Sequence, residues 1–217
     1  MPQSEPAPLV IAVDGPAAAG KGTLGRRLAA HYGLRHLDTG VLYRATALRL
    51  LRAGGDPARD ADAADAARSV TEANLDDPAL RGEEVGQAAS MVAAHGAVRG
   101  ALLDYQRSFA AELPGAVLDG RDIGTVVCPD AQVKIYLEAS AEVRARRRLC
   151  ELRSRGVEGI ESRVLDEIIA RDVRDSRRSA APLKPAADAS RIDTTALGPD
   201  EVFEQAVAIV DSRRCSS

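Results

Sequence analysis

Gly15-Pro16-Ala17-Ala18-Ala19-Gly20-Lys21-Gly22-Thr23 is the stretch that decides the fold. A glycine followed by four residues and then Gly-Lys is the spacing of a phosphate-binding loop, in which glycines let backbone N–H groups converge on phosphate oxygens. The apolar run at residues 9–13 predicts a buried strand before the loop, and residues 23–32 predict a helix after it. The positive end of that helix and the Lys21 ammonium both attract polyphosphate. We therefore expect all nine residues to bind a nucleoside triphosphate.

The magnesium ion that accompanies such a nucleotide has a less regular site. The strict motif places Ser or Thr directly after the lysine, whereas this chain has Gly22 there and Thr23 next. We expect phosphates and water to hold Mg²⁺ while Thr23 bonds a phosphate. Asp119 ends the apolar run at residues 116–118, the usual position of a carboxylate that organises magnesium-bound water. A carboxylate at a strand end also caps turns, so Asp119 alone leaves both roles open.

Short apolar runs alternate with helical patterns along the chain, which predicts β-α-β units and a parallel sheet. Together with residues 9–13, four further strands at residues 35–38, 116–118, 133–137 and 191–194 give a three-layer α/β P-loop fold, with a five-stranded parallel sheet flanked by helices. Residues 56–113 are alanine-rich and show no strand pattern. We therefore expect one domain with its core at residues 8–54, 113–150 and 163–217, a mainly helical acceptor-binding insertion at 55–112, and a short lid at 151–162.

Composition excludes several classes of protein. Aromatic residues make up 3% of the 217 residues, tryptophan is absent and the net charge is -3, which argues against a nucleic-acid reader. The three cysteines are scattered, which argues against a disulfide framework or zinc site. Residues 1–8 carry no basic segment, and no apolar run approaches the roughly 18 residues of a membrane span. We expect a cytoplasmic monomer that binds neither nucleic acid nor membranes.

Three classes of nucleotide-binding protein remain to be compared. A GTPase switch carries Asn-Lys-x-Asp, but the single asparagine here, Asn74, precedes Leu75. A nucleic-acid ATPase needs a basic track, whereas the arginines of residues 144–178 alternate with acids on predicted helices. A small-molecule kinase fits, because phosphoryl transfer depends on positioning and on cations around the equatorial oxygens. A phosphate acceptor is already an oxyanion at neutral pH and needs no general base.

The sequence resembles the bacterial cytidylate kinases, a branch of the nucleoside monophosphate kinases, over about residues 10–210. This resemblance implies transfer of the ATP γ-phosphoryl group to CMP or dCMP, with Mg²⁺, to give ADP and CDP or dCDP. The blocks that carry it are Val13-Asp14-Gly15-Pro16 with Lys21-Gly22-Thr23, Leu37-Asp38-Thr39-Gly40-Val41-Leu42-Tyr43-Arg44, Asp119-Gly120-Arg121-Asp122-Ile123-Gly124-Thr125-Val126-Val127, Val133-Lys134-Ile135-Tyr136-Leu137, and Arg171-Asp172-Val173-Arg174-Asp175 with Ala181-Pro182-Leu183.

The resemblance also implies how the acceptor is recognised. It places Arg44 and Arg121 on the acceptor phosphate and Asp122 opposite the cytosine amino group. Ser90 and Arg107, from the insertion, would hold the other polar edge of the base. A carboxylate in this place makes chemical sense, because it accepts from the N4 amine of cytosine but repels O4 of uracil.

Further roles follow from the same resemblance. Arg171 and Asp175, four residues apart on one helical face, match a pair that reads the acceptor sugar. Arg178 matches a phosphate contact, and Arg147 and Arg148 match lid-side arginines that meet the triphosphate. The implied catalytic residues are Lys21, Arg121 and Arg178, and Asp38, Thr39 and Tyr43 complete the implied CMP-binding set.

Two alternatives stay open at the level of sequence. One is another P-loop small-molecule kinase whose acceptor is UMP, AMP or shikimate. The other is a regulatory module that binds ATP without transferring a phosphoryl group. The insertion also looks shorter than in family members whose acceptor domain contains a small antiparallel sheet, since no Asp-Gly hairpin is present in it. The base-reading roles of Ser90 and Arg107 depend most on how that insertion folds.

Overall fold

Strand β1 (Leu9–Asp14) lies at the centre of a five-stranded sheet, and its last four residues are buried. Helices cover both faces of the sheet, which explains why the strand reads as an unbroken apolar run. The computed structural model describes residues 7–215. The prediction that residues 1–8 contain no basic targeting segment therefore falls mostly outside the described residues. The other strands are β2 (Arg35–Asp38), β3 (Gly115–Gly120), β4 (Val133–Glu138) and β5 (Ser190–Asp193).

All strand pairs are parallel, in the order β2-β3-β1-β4-β5. The predicted three-layer α/β fold with five parallel strands is therefore confirmed. Parallel strands end at the same edge of the sheet, so the phosphate loop after β1, Asp38 at the end of β2 and Asp119 in β3 come together there. Ligands of open parallel sheets bind at this edge.

Eight α-helices surround the sheet within residues 7–215. Two clusters of buried side chains lie on its opposite faces, one around Leu118 and Ile123 and the other around Ile11 and Ile135. A third, smaller cluster lies apart from them, between α6 and α7. The helices are α1 (Lys21–Tyr32), α2 (Thr39–Arg52), α3 (Asp60–Arg68), α4 (Glu83–Val92), α5 (Gly96–Ala111), α6 (Ala141–Ser154), α7 (Glu161–Arg177) and α8 (Pro199–Arg214).

Residues 55–112 contain α3, α4, α5 and two short 3-10 turns, with no strand, which confirms the expectation of a mainly helical insertion. The sequence of residues 83–112 reads as one helical stretch, but the chain leaves the helical conformation before Gly96 and forms two helices, α4 and α5. His95 adopts an extended conformation there, and its Nε2 donates to the Pro57 carbonyl at 2.8 Å. A long-range contact therefore accompanies the break.

A π-helical turn, Ile123–Val127, follows β3 and was not predicted. The Asp14 carboxylate, at the end of β1, accepts hydrogen bonds from the backbone N–H groups of Ile123 and Gly124, each at 2.8 Å. Burial raises the pKa of Asp14 to about 6, although those two donors oppose the shift. This buried carboxylate thus joins the end of the central strand to the segment that follows Asp122.

Within residues 7–215, none of the helices combines the length and the apolar character that crossing a bilayer requires.

Candidate active site

A cavity of about 940 Å³ opens at the carboxyl edge of the sheet, between the phosphate loop, the insertion and α7. It brings together most of the predicted site residues, although they come from distant parts of the sequence. The predicted residues that line it are Ala17, Ala18, Ala19, Gly20, Lys21, Gly22, Thr23, Asp38, Thr39, Tyr43, Arg44, Ser90, Asp119, Arg121, Asp122, Arg147, Arg148, Arg171, Asp175 and Arg178.

The phosphate loop owes its shape to Gly15. This residue has φ +148°, and a Cβ there would lie 2.3 Å from the Leu137 carbonyl oxygen, so only glycine fits. Gly15 and Pro16 do not line the cavity; they shape the loop from behind. The Lys21 Nζ donates to the Pro16 carbonyl at 2.7 Å, which holds the buried ammonium group beneath the loop.

Cations crowd one corner of the cavity. Burial, and next the neighbouring Arg121, lower the pKa of Lys21 to about 7. The same two causes lower the pKa of Arg171 to about 9. Burial and the charge of Arg148 likewise lower the pKa of Arg44. The protein therefore holds five mutually repelling cations together, and an anionic ligand would relieve that repulsion.

Asp175 connects two of these cations. The Arg121 Nε donates to Asp175 Oδ2 at 3.0 Å, and the Arg171 Nε lies 4.0 Å from the same oxygen. Among residues 7–215, the Arg171 Nε and the Arg178 Nη2 are buried without a hydrogen-bond partner. Buried donors normally find an acceptor, so two guanidinium N–H groups that make no hydrogen bond beside a cavity indicate a place for ligand oxygens.

Asp122 lies in a second corner, where it is buried and held by arginines. The Arg99 Nη2 donates to Asp122 Oδ2, and the Arg178 Nη2 lies 3.6 Å from Asp122 Oδ1. The Arg99 guanidinium also lies 5.6 Å from the centre of the Tyr43 ring. This corner offers a carboxylate, guanidinium N–H groups and an aromatic ring, which are the groups needed to bind a polar heterocycle.

Arg107 does not reach this corner, in contrast to the sequence expectation. Its Nε and Nη2 donate to the carbonyls of Val127 and Val126, at 3.0 and 3.1 Å, and it does not line the cavity. Arg99, on the same helix, occupies the expected place instead. The reason is geometric: eight residues of α-helix separate the two arginines by about 12 Å along the axis.

Ser90 lines the cavity from α4 and is buried. Its Oγ accepts a hydrogen bond from the Arg174 Nη1, on α7, at 2.8 Å. The hydroxyl proton of Ser90 is then available for a ligand acceptor. The lining residues that were missed at the level of sequence include the charged residues Arg99, Arg174, Glu83 and Glu167. Charged residues on solvent-facing helical patterns give no signal that separates them from ordinary surface residues.

Two carboxylates at neighbouring strand ends could receive a metal ion. Asp38 is paired in register with Asp119, and partial desolvation at the cavity wall, together with the Asp119 charge, raises the pKa of Asp38. The Asp119 Oδ2 lies 2.7 Å from the His36 Nε2. Carboxylate oxygens beside a phosphate loop suit Mg²⁺ bound through water. In the part of the chain that the structure describes, no cluster of three metal-ligating side chains is present.

The two lid-side arginines make different contacts. Arg147 donates to the Thr194 hydroxyl and carbonyl at 2.9 and 2.6 Å, so it bridges α6 to the segment after β5. Arg148 also lines the cavity, and it pairs with Glu151, one turn further along α6, at 2.9 Å. Arg147 is therefore held by a distant segment of the chain, whereas Arg148 is paired within its own helix.

Comparison with known proteins places this site in a family. The model of the family described as "Cytidylate kinase" matches residues 11–212. The chain is 56% identical over 206 residues to the cytidylate kinase of Rhodopseudomonas palustris (strain TIE-1), covering 95% of this chain and 97% of the relative. It is 59% identical over 202 residues to that of Granulibacter bethesdensis, covering 93% and 96%.

Solved structures support the fold alone. A gluconokinase from Sinorhizobium meliloti 1021 superposes with a TM-score of 0.52 at 15% sequence identity, covering 96% of this chain and 94% of that one. At this level of identity, the comparison shows only that the strands and helices are arranged similarly.

Proposed function

The chain belongs to the cytidylate kinase family, and we propose that it catalyses transfer of the ATP γ-phosphoryl group to CMP or dCMP. The family assignment made from the sequence is confirmed. ATP, CMP and dCMP are the ligands that this proposal requires. The observation that carries the assignment of subsites is the cluster of cations between the phosphate loop and α7, because it lies where two phosphorylated ligands would meet.

We assign the polyphosphate to residues 15–23 and the acceptor phosphate to Arg44, Arg121 and Arg178. An oxygen of the CMP phosphate attacks the γ-phosphorus of ATP, and a new P–O bond forms. The bond from that phosphorus to the β–γ bridging oxygen breaks, and its electron pair leaves with ADP. The acceptor oxygen is already an anion near pH 7, so no general base is needed. Lys21 and Arg121 stabilise charge on the transferred group.

The corner around Asp122 suits the base of the acceptor. Its carboxylate would accept from the cytosine N4 amine, while Arg99 and the Ser90 hydroxyl donate to the remaining acceptor atoms. Uracil has an acceptor in place of the N4 amine, and Asp122 would repel it. Arg171 and Asp175 would then face the sugar of the acceptor. Tyr43 lies beside the corner around Asp122.

Mg²⁺ fits beside Asp119 and Asp38, and when bound it neutralises charge on the ATP phosphates. With carboxylates from two strand ends at this edge, the metal would be held mainly by phosphates and water, with Asp119 bonding through water. Thr23, after the glycine that replaces the usual hydroxyl residue, would bond a phosphate. We also propose a cytoplasmic monomer that acts without nucleic acid or membranes, in keeping with its low aromatic content and net charge of -3.

A coupled ADP-release assay tests the proposed function directly. Purified protein with MgATP is supplied in turn with CMP, dCMP, UMP, AMP and shikimate, and ADP formation is followed. We expect CMP and dCMP to be the fastest acceptors, with UMP slower by at least about tenfold because it lacks the amino donor. Preference for another acceptor would point to a different small-molecule kinase. ATP binding with no acceptor-dependent ADP release would point to a regulatory module.

A further inference from the structure

Three parts of the active site meet at Arg144, a residue with no role in the chemistry described above. Arg144 lies on α6 and is almost completely buried, with an exposed fraction of 5%. Its Nε donates to the Ala139 carbonyl at 2.9 Å, just beyond the end of β4. One edge of the guanidinium is thereby fixed to the sheet, which leaves the two Nη atoms to make other contacts.

Both Nη atoms of Arg144 bind Asp172 on α7. The Nη1 donates to Oδ1 at 3.1 Å and the Nη2 to Oδ2 at 2.6 Å, so the pair is bidentate. Such a fork restricts rotation as well as distance, which a single point contact does not. Asp172 directly follows Arg171 and precedes Asp175 by three residues, so the contact holds the part of α7 assigned to the acceptor.

The same guanidinium reaches the phosphate loop. The Arg144 Nη1 also donates to the Ala17 carbonyl at 3.3 Å. The next residue, Ala18, has φ +59° and packs against the small cluster between α6 and α7, which includes Leu149 and Ile168. The phosphate loop therefore touches the α6–α7 pair through one polar and one apolar contact.

The α6–α7 pair has an apolar cluster of its own. That cluster is separate from the two clusters that pack against the sheet. A pair of helices with its own cluster can shift as a unit more easily than helices that share the central core. Contacts between this pair and the phosphate loop therefore control where α7 lies relative to the bound polyphosphate.

We propose that Arg144 is a positioning residue that couples the two substrate subsites, because its guanidinium links the phosphate loop to the segment of α7 that carries Arg171 and Asp175. The proposal rests on the proposed function. Polyphosphate bound to the loop N–H groups fixes the Ala17 peptide, and Arg144 then fixes Asp172 and its neighbours. Thermodynamic linkage makes the effect reciprocal, so CMP strengthens ATP binding by the same factor.

Calorimetry with a non-hydrolysable ATP analogue and CMP measures this coupling. The CMP dissociation constant is determined with and without saturating analogue for the wild type, Arg144→Lys, Asp172→Asn and the double variant. We expect the analogue to tighten CMP binding at least about fivefold in the wild type and less than about twofold in each variant. The double variant should lose no more coupling than either single variant, because all three variants remove the same contact.

Arg191→Lys is the matched control. Arg191 and Glu138 form a similar fork, at 2.7 and 3.1 Å, on an exposed part of the sheet between β5 and β4. Loss of the fork between Arg191 and Glu138 should leave the coupling unchanged. The Arg144→Lys substitution retains the positive charge but removes the fork, and Asp172→Asn retains the shape of the side chain. Both substitutions are conservative, and thermal melts verify that the variants fold. If Arg144→Lys is unfolded, the coupling measured in Asp172→Asn tests the proposal instead.

The outcomes separate the two proposals. Coupling that persists in folded Arg144→Lys and Asp172→Asn, or a wild type with coupling below about twofold, overturns the positioning role while the kinase activity stands. Wild-type protein that neither binds nor phosphorylates CMP contradicts the proposed function, and the coupling proposal fails with it. Loss of coupling in both variants, with each ligand still bound alone and the control unchanged, supports the positioning role.

Discussion

Lys21 is the residue on which the polyphosphate subsite depends most directly. Its pKa, lowered to about 7 by burial and by the neighbouring Arg121, makes the ammonium group easy to deprotonate in the ligand-free protein. Polyphosphate favours the charged form and so raises that pKa again. At pH 8 the free side chain is mostly neutral, and ligand binding must bring a proton with it.

We therefore predict that ATP binding at pH 8 takes up close to one proton. ATP affinity should fall by up to about tenfold per pH unit above pH 7, until the pKa of the bound state is reached. Calorimetry in two buffers of different ionisation enthalpy measures the uptake. Lys21→Met should bind more weakly and take up no proton through this group. Equal heats in the two buffers for the wild type would contradict the prediction.

The position of the phosphate loop could be predicted because its residues are contiguous in sequence, although Gly15 and Pro16 do not line the cavity as residues 17–23 do. Nine consecutive residues contain the glycines, the lysine and the helix start, and no distant partner is needed to interpret them. The base-reading corner is different, since Asp122 and its partner Arg99 lie 23 residues apart in sequence. Arg99 and Arg107 stand on the same helix, and only the packing of α5 against the segment after β3 separates their roles.

Substituting these two arginines separately tests that assignment. Arg99→Ala leaves Asp122 without its closest cation, and we expect the KM for CMP to rise at least about tenfold while the KM for ATP changes less than about twofold. Arg107→Ala removes only bonds to the Val126 and Val127 carbonyls and should leave the KM for CMP within about twofold. Steady-state kinetics with each substrate varied in turn gives both constants. The reverse order of effects would return the base-reading role to Arg107.

At the scale of elements, the sequence pattern located all five strands of the described chain to within about two residues. The strands are short apolar runs bounded by turn residues, and both features are visible in the sequence. The break before α5 and the π-helical turn were missed because each is accompanied by a distant partner. For the break that partner is the Pro57 carbonyl, and for the turn it is Asp14.

The π-helical turn yields a prediction of its own. Asp14→Ala leaves the buried N–H groups of Ile123 and Gly124 without an acceptor, at a cost of about 1–3 kcal/mol each. We expect a loss of unfolding free energy of about 2–6 kcal/mol in urea titrations. The turn directly follows Asp122, so the KM for CMP should rise more than that for ATP. Asp14→Asn keeps one acceptor oxygen and should be intermediate. An unfolding free energy equal to that of the wild type would show that the stability of the turn does not depend on Asp14.

Across the whole molecule, the cavity is bounded by parts that contact each other through few bonds. The Ser90–Arg174 bond links the insertion to α7, and Arg144 links α7 to the phosphate loop through its bonds to Asp172 and to the Ala17 carbonyl. ATP in an open site would be lost to hydrolysis, so we expect these parts to close when both ligands are bound. The proposed lid includes the exposed residues 155–158 and joins α6 to α7.

Limited trypsin digestion measures that closure. Arg153 and Arg155 are exposed where α6 ends, and we expect cleavage there in the free protein. The non-hydrolysable ATP analogue and CMP together should slow this cleavage at least about fivefold, because closure removes local openings that expose the chain to protease. Each ligand alone should protect less, since the α6–α7 pair contacts both subsites. Cleavage after Arg214, at the end of α8 and far from the cavity, provides an internal control whose rate should not change. Protection of both regions to the same extent would indicate a general gain in stability, and closure at this lid would then be excluded.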